Sequence, residues 1–147
     1  MATLYTDVGT IENAPHVGDA YNSPQRNKGK VRRVQAVITF AAGQIGDIVN
    51  ICKLRKGDEV CGGVMINAAL GASSTLQIGD DCPTADDDRY LAATATSSAA
   101  RTEFPATDRV ALVPFTVTQD SWLQAKIAGG AVTGKVIFYV DILRQGA

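Results

Sequence analysis

The sequence has little of what most enzymes and membrane proteins depend on. No apolar run approaches the roughly 18 to 20 residues that a membrane-spanning helix requires. The opening Met-Ala-Thr-Leu-Tyr-Thr-Asp lacks the charged-then-apolar order of a secretory signal, so synthesis in a cytosol is expected. The single histidine, His16, stands beside Pro15 in a stretch without periodicity, which leaves no imidazole base on a rigid element. Three cysteines, Cys52, Cys61 and Cys82, cannot all pair within one chain, and none of their spacings is that of a zinc site. An excess of one charge is missing too. With 14 basic and 15 acidic residues, a net charge of −1 denies the chain the basic surface that displaces counterions from nucleic-acid phosphates. The basic run Arg26, Lys28, Lys30, Arg32 and Arg33 departs from this balance and reads either as a solvated linker or as a contact for an acidic partner.

Catalytic constellations are equally scarce. Ser73, Ser74, Ser97 and Ser98 stand in no nucleophile elbow, and no glycine-rich loop leads into a helix that would cradle phosphate. Glu12, Glu59 and Glu103 lie in unrelated segments, so paired-carboxylate chemistry has no cleft to converge on. An enzyme is not expected, nor is a cofactor or a metal centre. The acidic run Asp80, Asp81, Asp86, Asp87 and Asp88 carries the hard oxygen donors that calcium prefers, but its spacing is not that of an EF-hand and Arg89 supplies a counter-charge within it. A solvated loop, with Asp88 helping to cap a turn at Tyr90, is the plainer reading.

What is present is β-structure. At 46% hydrophobic and 20% charged residues, the 147-residue chain suits one globular domain able to bury roughly 70% of its unfolded surface. Residues 1–30 carry scattered apolar side chains broken by Gly9, Pro15, Gly18, Asn22, Pro24 and Gly29, and read as an extended arm. From Val31 the pattern alternates, with Val34, Ala36, Ile38 and Phe40 on one parity and Arg33, Gln35 and Thr39 on the other. Gly46-Asp47, Gly57-Asp58 and Gly79-Asp80 punctuate the apolar segments that follow, among them Ile48 to Leu54 and Ser74 to Ile78. Beyond Gly79, Pro83 and the three aspartates Asp86, Asp87 and Asp88 predict that the chain leaves the sheet, in a central loop excursion spanning about 79–108. Strands are predicted again at Arg109 to Val117, Ser121 to Ala128 and Lys135 to Leu143. About eight strands and no amphipathic helix make an all-β, antiparallel two-sheet sandwich of jelly-roll type over 31–147.

The order of these motifs resembles that of a family of small bacteriophage head proteins, the capsid cement or decoration proteins encoded beside the major capsid protein. The resemblance rests on Gly46-Asp47 opening a strand, Leu54-Arg55-Lys56-Gly57 followed by Val60, Leu70-Gly71, Ser74-Thr75-Leu76, Gly79-Asp80, Asp88-Arg89-Tyr90-Leu91-Ala92-Ala93, and Thr133-Gly134-Lys135 before an apolar strand with Tyr139. It covers roughly two-thirds of the chain, from about Ile45 onward. The chain departs from the pattern at Arg55, where the family often has proline, and at Cys82-Pro83; residues 1–44 have no counterpart. The resemblance implies a non-enzymatic virion protein on the capsid exterior, with the major capsid protein as partner and no nucleic acid or membrane contact. A β-sandwich module binding carbohydrate or a receptor is the alternative. It needs a cluster of exposed aromatics, which one Trp, four Tyr and four Phe spread along the chain make hard to assemble. Trp122, within a strand, reads as core or interface rather than as a sugar platform.

Three further expectations follow. If Lys56-Gly57 are the central residues of a two-residue hairpin, Val49, Ile51, Val60, Val64 and Ile66 share one face while Ile48, Cys52, Leu54, Cys61 and Met65 share the other, so both faces are apolar. The final strand repeats this, with Val136, Phe138, Val140 and Ile142 opposed to Ile137, Tyr139 and Leu143. A second apolar face is covered either by the chain's own arm and excursion or by another subunit, and a homo-oligomer, a trimer first, is the expectation. In that hairpin register Cys52 and Cys61 stand about 4.5 Å apart at Cα, within disulfide reach, although cytosolic synthesis favours free thiols. Finally, Leu4, Tyr5, Val8 and Ile11 are candidate anchors of the arm on a neighbouring subunit or the shell, with folding back over its own sandwich as the competing reading.

Overall fold

The computed structural model describes residues 2–6, 31–104 and 115–144. They form β1 (Thr3–Tyr5), β2 (Val31–Gly43), β3 (Ile48–Leu54), β4 (Asp58–Asn67), β5 (Thr75–Asp80), β6 (Asp86–Ala95), β7 (Ala100–Phe104), β8 (Ser121–Ala128) and β9 (Val132–Arg144). One sheet has the order β1-β3-β8-β5-β6, the other β2-β9-β4-β7. Strand β2 pairs with β9, β3 with β8, β4 with β7 and β5 with β6, all antiparallel. The chain is therefore one long ribbon, β2 to β5 against β6 to β9, rolled so that successive pairs fall in alternate sheets. This is jelly-roll connectivity. The all-β sandwich expected from the sequence is what the chain forms, with β1 added at one edge.

The core lies between the sheets. Leu76, Ile78, Leu123 and Ile127 of one sheet and Met65, Phe138, Val140 and Ile142 of the other are fully buried or nearly so. Each such side chain contributes on the order of 1.5 to 3 kcal/mol relative to exposure. In β8, and in β9 from Val136 onward, burial alternates strictly, as a strand with one face in a core requires.

Three sequence expectations need correction. The 79–108 excursion is not a loop, because it contains β6 and β7. Both are edge strands, where a second partner is absent and little apolar alternation is demanded. The turn at Lys56-Gly57 does not close a hairpin between paired strands; it carries the chain from one sheet to the other, so β3 and β4 never pair. Cys52 accordingly stands opposite Leu123 of β8 and not opposite Cys61, and Cys52, Cys61 and Cys82 form no disulfide, as cytosolic synthesis led one to expect. The two-faced apolar pattern of β3 and β4 arises largely from bulges. One between Asn50 and Cys52 reverses the parity of β3, so Val49, Ile51, Cys52 and Leu54 are all buried. Another between Val60 and Gly62 lets Val60 and Met65, of opposite parity, both reach the core. Of the strand expected at Arg109 to Val117, residues 109–114 lie outside the described residues, and the remainder makes one bridge, Glu59 to Thr116.

The beginning of the arm belongs to the sandwich. Strand β1 pairs in parallel with β3, Thr3 to Ile48 through Tyr5 to Asn50, and the Thr6 hydroxyl donates to the Ile51 carbonyl. Asp47 holds the entry, accepting from Ala2 N (2.9 Å) and Gln44 N (3.0 Å). These two backbone donors pull its carboxyl below the ordinary aspartate value. A depressed folded pKa gives stability that is present above the unfolded value, about 3.9, and is lost as pH falls through the lower folded value. Acid unfolding of Asp47→Asn should therefore be less steep than wild type below about pH 4, while at pH 7 the variant is the less stable. Urea titrations at the two pH values measure this, and equal differences at both would show that Asp47 makes no such contribution.

Candidate interaction surfaces

Two regions have more chemistry than the fold needs. The first is the outer face of the four-stranded sheet. Since β9 buries Val136, Phe138, Val140 and Ile142, the alternate residues Ile137, Tyr139, Asp141 and Leu143 point away from the core. The registers extend this face into its neighbours. Ile137 lies between Val37 of β2 and Ile66 of β4, and Tyr139 between Gln35 and Val64. On the far side of β4, Ile66 meets Arg101 and Val64 meets Glu103 of β7. At the other end of the face Leu143 stands opposite Val31, which is 58% exposed. The remaining described strands make up the opposite sheet, on the inner side, so no described strand lies over this apolar surface.

The charges of this face sit around that apolar centre. Arg33 forms a two-pronged pair with Asp141, at 2.9 and 3.1 Å, and Arg101 pairs with Glu103 at 2.8 Å. The Asp141 carboxylate raises the Arg33 guanidinium above its usual value, which keeps it charged. Lys135, across from Thr39, and Glu59, across from Leu143, complete the margin. An apolar centre with a charged and polar margin is the anatomy of a protein interface.

The second region is the acidic run, which the structure turns into internal bracing. Asp80 is fully buried; its Oδ1 accepts from Arg89 Nε and its Oδ2 from the Tyr90 hydroxyl, at 3.0 and 2.8 Å. Burial pushes the Asp80 carboxyl upward, while Tyr90 and Arg89 pull against that rise. The Tyr90 hydroxyl is driven far up by burial and by the Asp80 charge, so it stays a proton donor. Arg89 also donates to the Cys82 carbonyl at 3.0 Å and lies 3.8 Å above the Phe115 ring. Asp81 accepts from Trp122 N, Asp86 faces Arg89, and Asp87 pairs with Lys126 at 2.7 Å. These carboxylates are answered by protein donors, and no group of three or more potential metal ligands occurs among the described residues. Their half-buried state also explains why they do not force the chain off the sheet.

Of the arm residues singled out in the sequence, Leu4 is partly buried against the chain's own core and Tyr5 pairs through its backbone with Asn50. Val8, Ile11 and His16 lie outside the described residues. Trp122 is half-buried on the outer face of the five-stranded sheet, with Lys53 Nζ 5.4 Å from its ring centre. The contribution of Val37, Val64 and Ile66 to the Ile137–Tyr139 face was not legible, because it depends on which strands flank β9. The alternation within β9 itself was the available signal.

No protein-family model and no curated protein matches the sequence. Solved structures do match the fold. A chain in the capsid of Ralstonia phage GP4 is similar over 99% of both chains, with a TM-score of 0.67 and 18% identity. A chain in the Cyanophage Pam1 capsid asymmetric unit is similar over 78% of this chain and 85% of that one, with a TM-score of 0.59 and 22% identity. A chain in the acidic stable capsid structure of Helicobacter pylori bacteriophage KHP30 covers 77% and 86%, with a TM-score of 0.55 and 15% identity. At these identities the shared property is the fold: this chain has the jelly-roll sandwich of chains found in three phage capsid structures.

Proposed function

We propose that the chain is a non-enzymatic structural protein of a bacteriophage head, a cement or decoration protein that binds the outer capsid surface and stabilises the shell. The observation that carries this reading is the end-to-end similarity to a chain of the GP4 capsid, in which neither chain has more than 1% left over. The order of Gly-Asp and Asp-Arg-Tyr-Leu-Ala-Ala motifs supports it independently. Its partner is the major capsid protein, and it acts as a homo-oligomer, a trimer first given the local symmetry of a shell. Contact area and mass action provide the mechanism. A protein that binds the assembled lattice and not its separated subunits adds RT ln(1 + [L]/Kd) to the stability of each site, about 2.7 kcal/mol at a hundredfold excess over Kd.

The structure gives the motif residues reasons that fit a passive, rigid body. Asp80, Arg89 and Tyr90 brace one another, and Gly79 allows β6 to approach β5. The carbohydrate-binding alternative has less support, since Phe40, Tyr90, Phe104 and Phe138 are buried, Phe115 is covered by Arg89 and Trp122 lies beneath Lys53.

Co-sedimentation tests the reading. Purified protein should pellet with heads of its own phage from which it has been removed, saturate at a fixed number of copies per shell, and raise the temperature at which those heads release DNA. It should not bind unassembled capsid subunits. Failure to pellet with expanded heads over a range of salt and pH would overturn it.

A further inference from the structure

We infer that one end of the sandwich, formed by the loops 44–47, 68–74, 96–99 and 129–131, is the surface that seats on the capsid, against an uncharged patch of the shell protein. The inference deepens the reading above and rests on it for the identity of the partner.

The strand registers bring these four loops to the same end: Gly43 stands opposite Val132, Thr75 opposite both Ala128 and Ala95, and Asn67 opposite Ala100. Charged residues make up 20% of the chain, and a solvated surface is where they ordinarily collect. These four loops hold one, Asp47, and it is buried, its carboxylate taken up by Ala2 N and Gln44 N. Everything else in them is alanine, glycine, serine, threonine, Gln44, Leu70 or Ile45. The nearest charges stand on the strands, where Lys126 is paired with Asp87 and Arg101 with Glu103, and Lys135 borders the 68–74 loop. The opposite end carries Arg55 and Lys56 on one turn, Asp81 and Asp120 on two others, and Glu59 and Asp86 at strand starts. Ile45, 63% exposed, is the apolar apex of the uncharged end; Val31, the other large apolar side chain so exposed among the described residues, lies at the charged end beside Arg32 and Arg33. A single exposed isoleucine is ordinary, but one standing on a surface without charge extends a patch that water hydrates poorly.

The loops are tied into one surface. Leu70 N donates to Thr96 O, Thr96 N to Ser74 O and Thr133 N to Leu70 O, each at 2.9 Å, and the Asn67 amide joins Ala68 O at 2.7 Å to Ser98 O at 2.9 Å. Gly129 and Gly130 let the 129–131 loop lie on this group, since a Cβ at each would come within 2.3 and 2.6 Å of the Ser73 and Ala72 carbonyl oxygens. Such a surface loses little freedom on binding and has no ion to strip of water. It selects a partner patch that is itself uncharged, because an ion buried against it would find no counter-charge. The chain's own undescribed segments are joined to the sandwich elsewhere: it runs toward the charged end at Thr6, Phe104 and Arg144 and returns from it at Val31 and Phe115. Of the undescribed residues Met1 alone adjoins the uncharged end, through Ala2. Cover from 7–30 or 105–114 would have to cross the length of the sandwich, whereas a shell beneath it meets this end directly. Two copies meeting through it would close a twofold pair and leave neither a seat on the shell, at odds with a threefold arrangement.

The test is co-sedimentation of the full chain with heads of its own phage from which the protein has been removed. Ile45→Asp and Ser97→Lys, both at exposed positions, should each weaken binding roughly tenfold or more while their melting curves stay those of wild type, because a charge of either sign is buried without a partner. Lys56→Glu at the opposite end should stay within about twofold of wild type, and raising salt from about 50 to 500 mM should change wild-type affinity by less than about threefold. As a measurement free of substitutions, hydroxyl-radical labelling of Ile45 should fall on binding to heads, while Lys56 stays as open to acetylation as in the free protein. Charge variants that pellet like wild type, a gain of affinity with one sign of charge, an Ile45 labelled equally on and off heads, or a steep fall of affinity with salt would each overturn the inference and leave the capsid reading standing. So would an Ile45→Asp variant that dissociates the protein's own oligomer in solution, which would make a second copy the occupant. A wild type that never pellets removes the capsid reading and this inference with it.

Discussion

Replacing Arg89 by methionine should destabilise the isolated subunit by about 3 to 5 kcal/mol, the range seen when one partner of a buried ion pair is removed. The aliphatic stem keeps its packing against Phe115, so the loss isolates the charge. Asp80, with no exposed surface, then keeps only the Tyr90 hydroxyl and the Cys82 amide as donors. For a domain of this length that corresponds to a melting temperature lower by roughly 6 to 20 °C. The pH dependence provides the signature. Without Arg89 the folded pKa of Asp80 rises further, so between that value and the unfolded value of about 3.9 the folded variant binds more protons than the unfolded chain. Its stability increases as pH falls through that window, and the gap to wild type narrows. Adding Asp80→Asn to Arg89→Met should recover part of the loss at pH 7, because a neutral amide needs no cation. A gap unchanged between pH 7 and pH 5, or no recovery in the double variant, would mean that the pair contributes packing and not charge.

That buried pair shows where the sequence could and could not be read. The periods of β2, β8 and β9 were legible because each has one face in the core and a short-range rule suffices. The Arg89 counter-charge was visible too, but only as a local balance within an acidic loop. Its burial depends on Phe115, which lies 26 positions away, and on Tyr90 turning inward to meet Asp80. The loop expected over 79–108 failed for the same reason. Asp87 is tolerated in a strand because Lys126 of β8 reaches it from the sheet interior, a pairing no local pattern encodes. The Lys56-Gly57 turn looked like the tip of a hairpin because its residues suit one. Sheet membership is decided elsewhere, by β8 and β9 claiming β3 and β4 respectively. The apolar outer face was half legible: Ile137, Tyr139 and Leu143 announced it, but the partners that widen it, Val37, Val64 and Ile66, are set by strand order. Bulges are the remaining source of error. A single extra residue at Ile51 or Cys61 inverts the parity on which face assignment rests; Gly62, at a φ of 121°, marks the second site, whereas no glycine or proline marks the first.

Gly79→Ala should be the most damaging of the single-methyl substitutions at the glycines described. A Cβ built at Gly79 would lie 1.8 Å from the Asp86 carbonyl oxygen and 2.6 Å from the Asp87 carbonyl carbon, both backbone atoms that cannot rotate aside. Strand β5 cannot retreat, since β8 holds it on the other side along its whole length, from Thr75 opposite Ala128 to Asp80 opposite Leu123. Relief must come from β6 swinging outward, and the Asp80, Arg89 and Tyr90 bonds tie that strand down. The expected cost is about 3 kcal/mol or more, at or above the upper end of ordinary overpacking. Gly46→Ala separates this from the general cost of replacing glycine. Gly46 has a φ of 92° and nothing within 4 Å of its Cβ position, so only backbone strain of about 1 kcal/mol applies. Urea unfolding should therefore rank the two variants well apart, and hydrogen exchange should localise the Gly79→Ala defect to residues 86–95. Equal losses for the two variants, or an exchange pattern unchanged in β6, would show that the close approach of β5 and β6 is not what fixes glycine at this position.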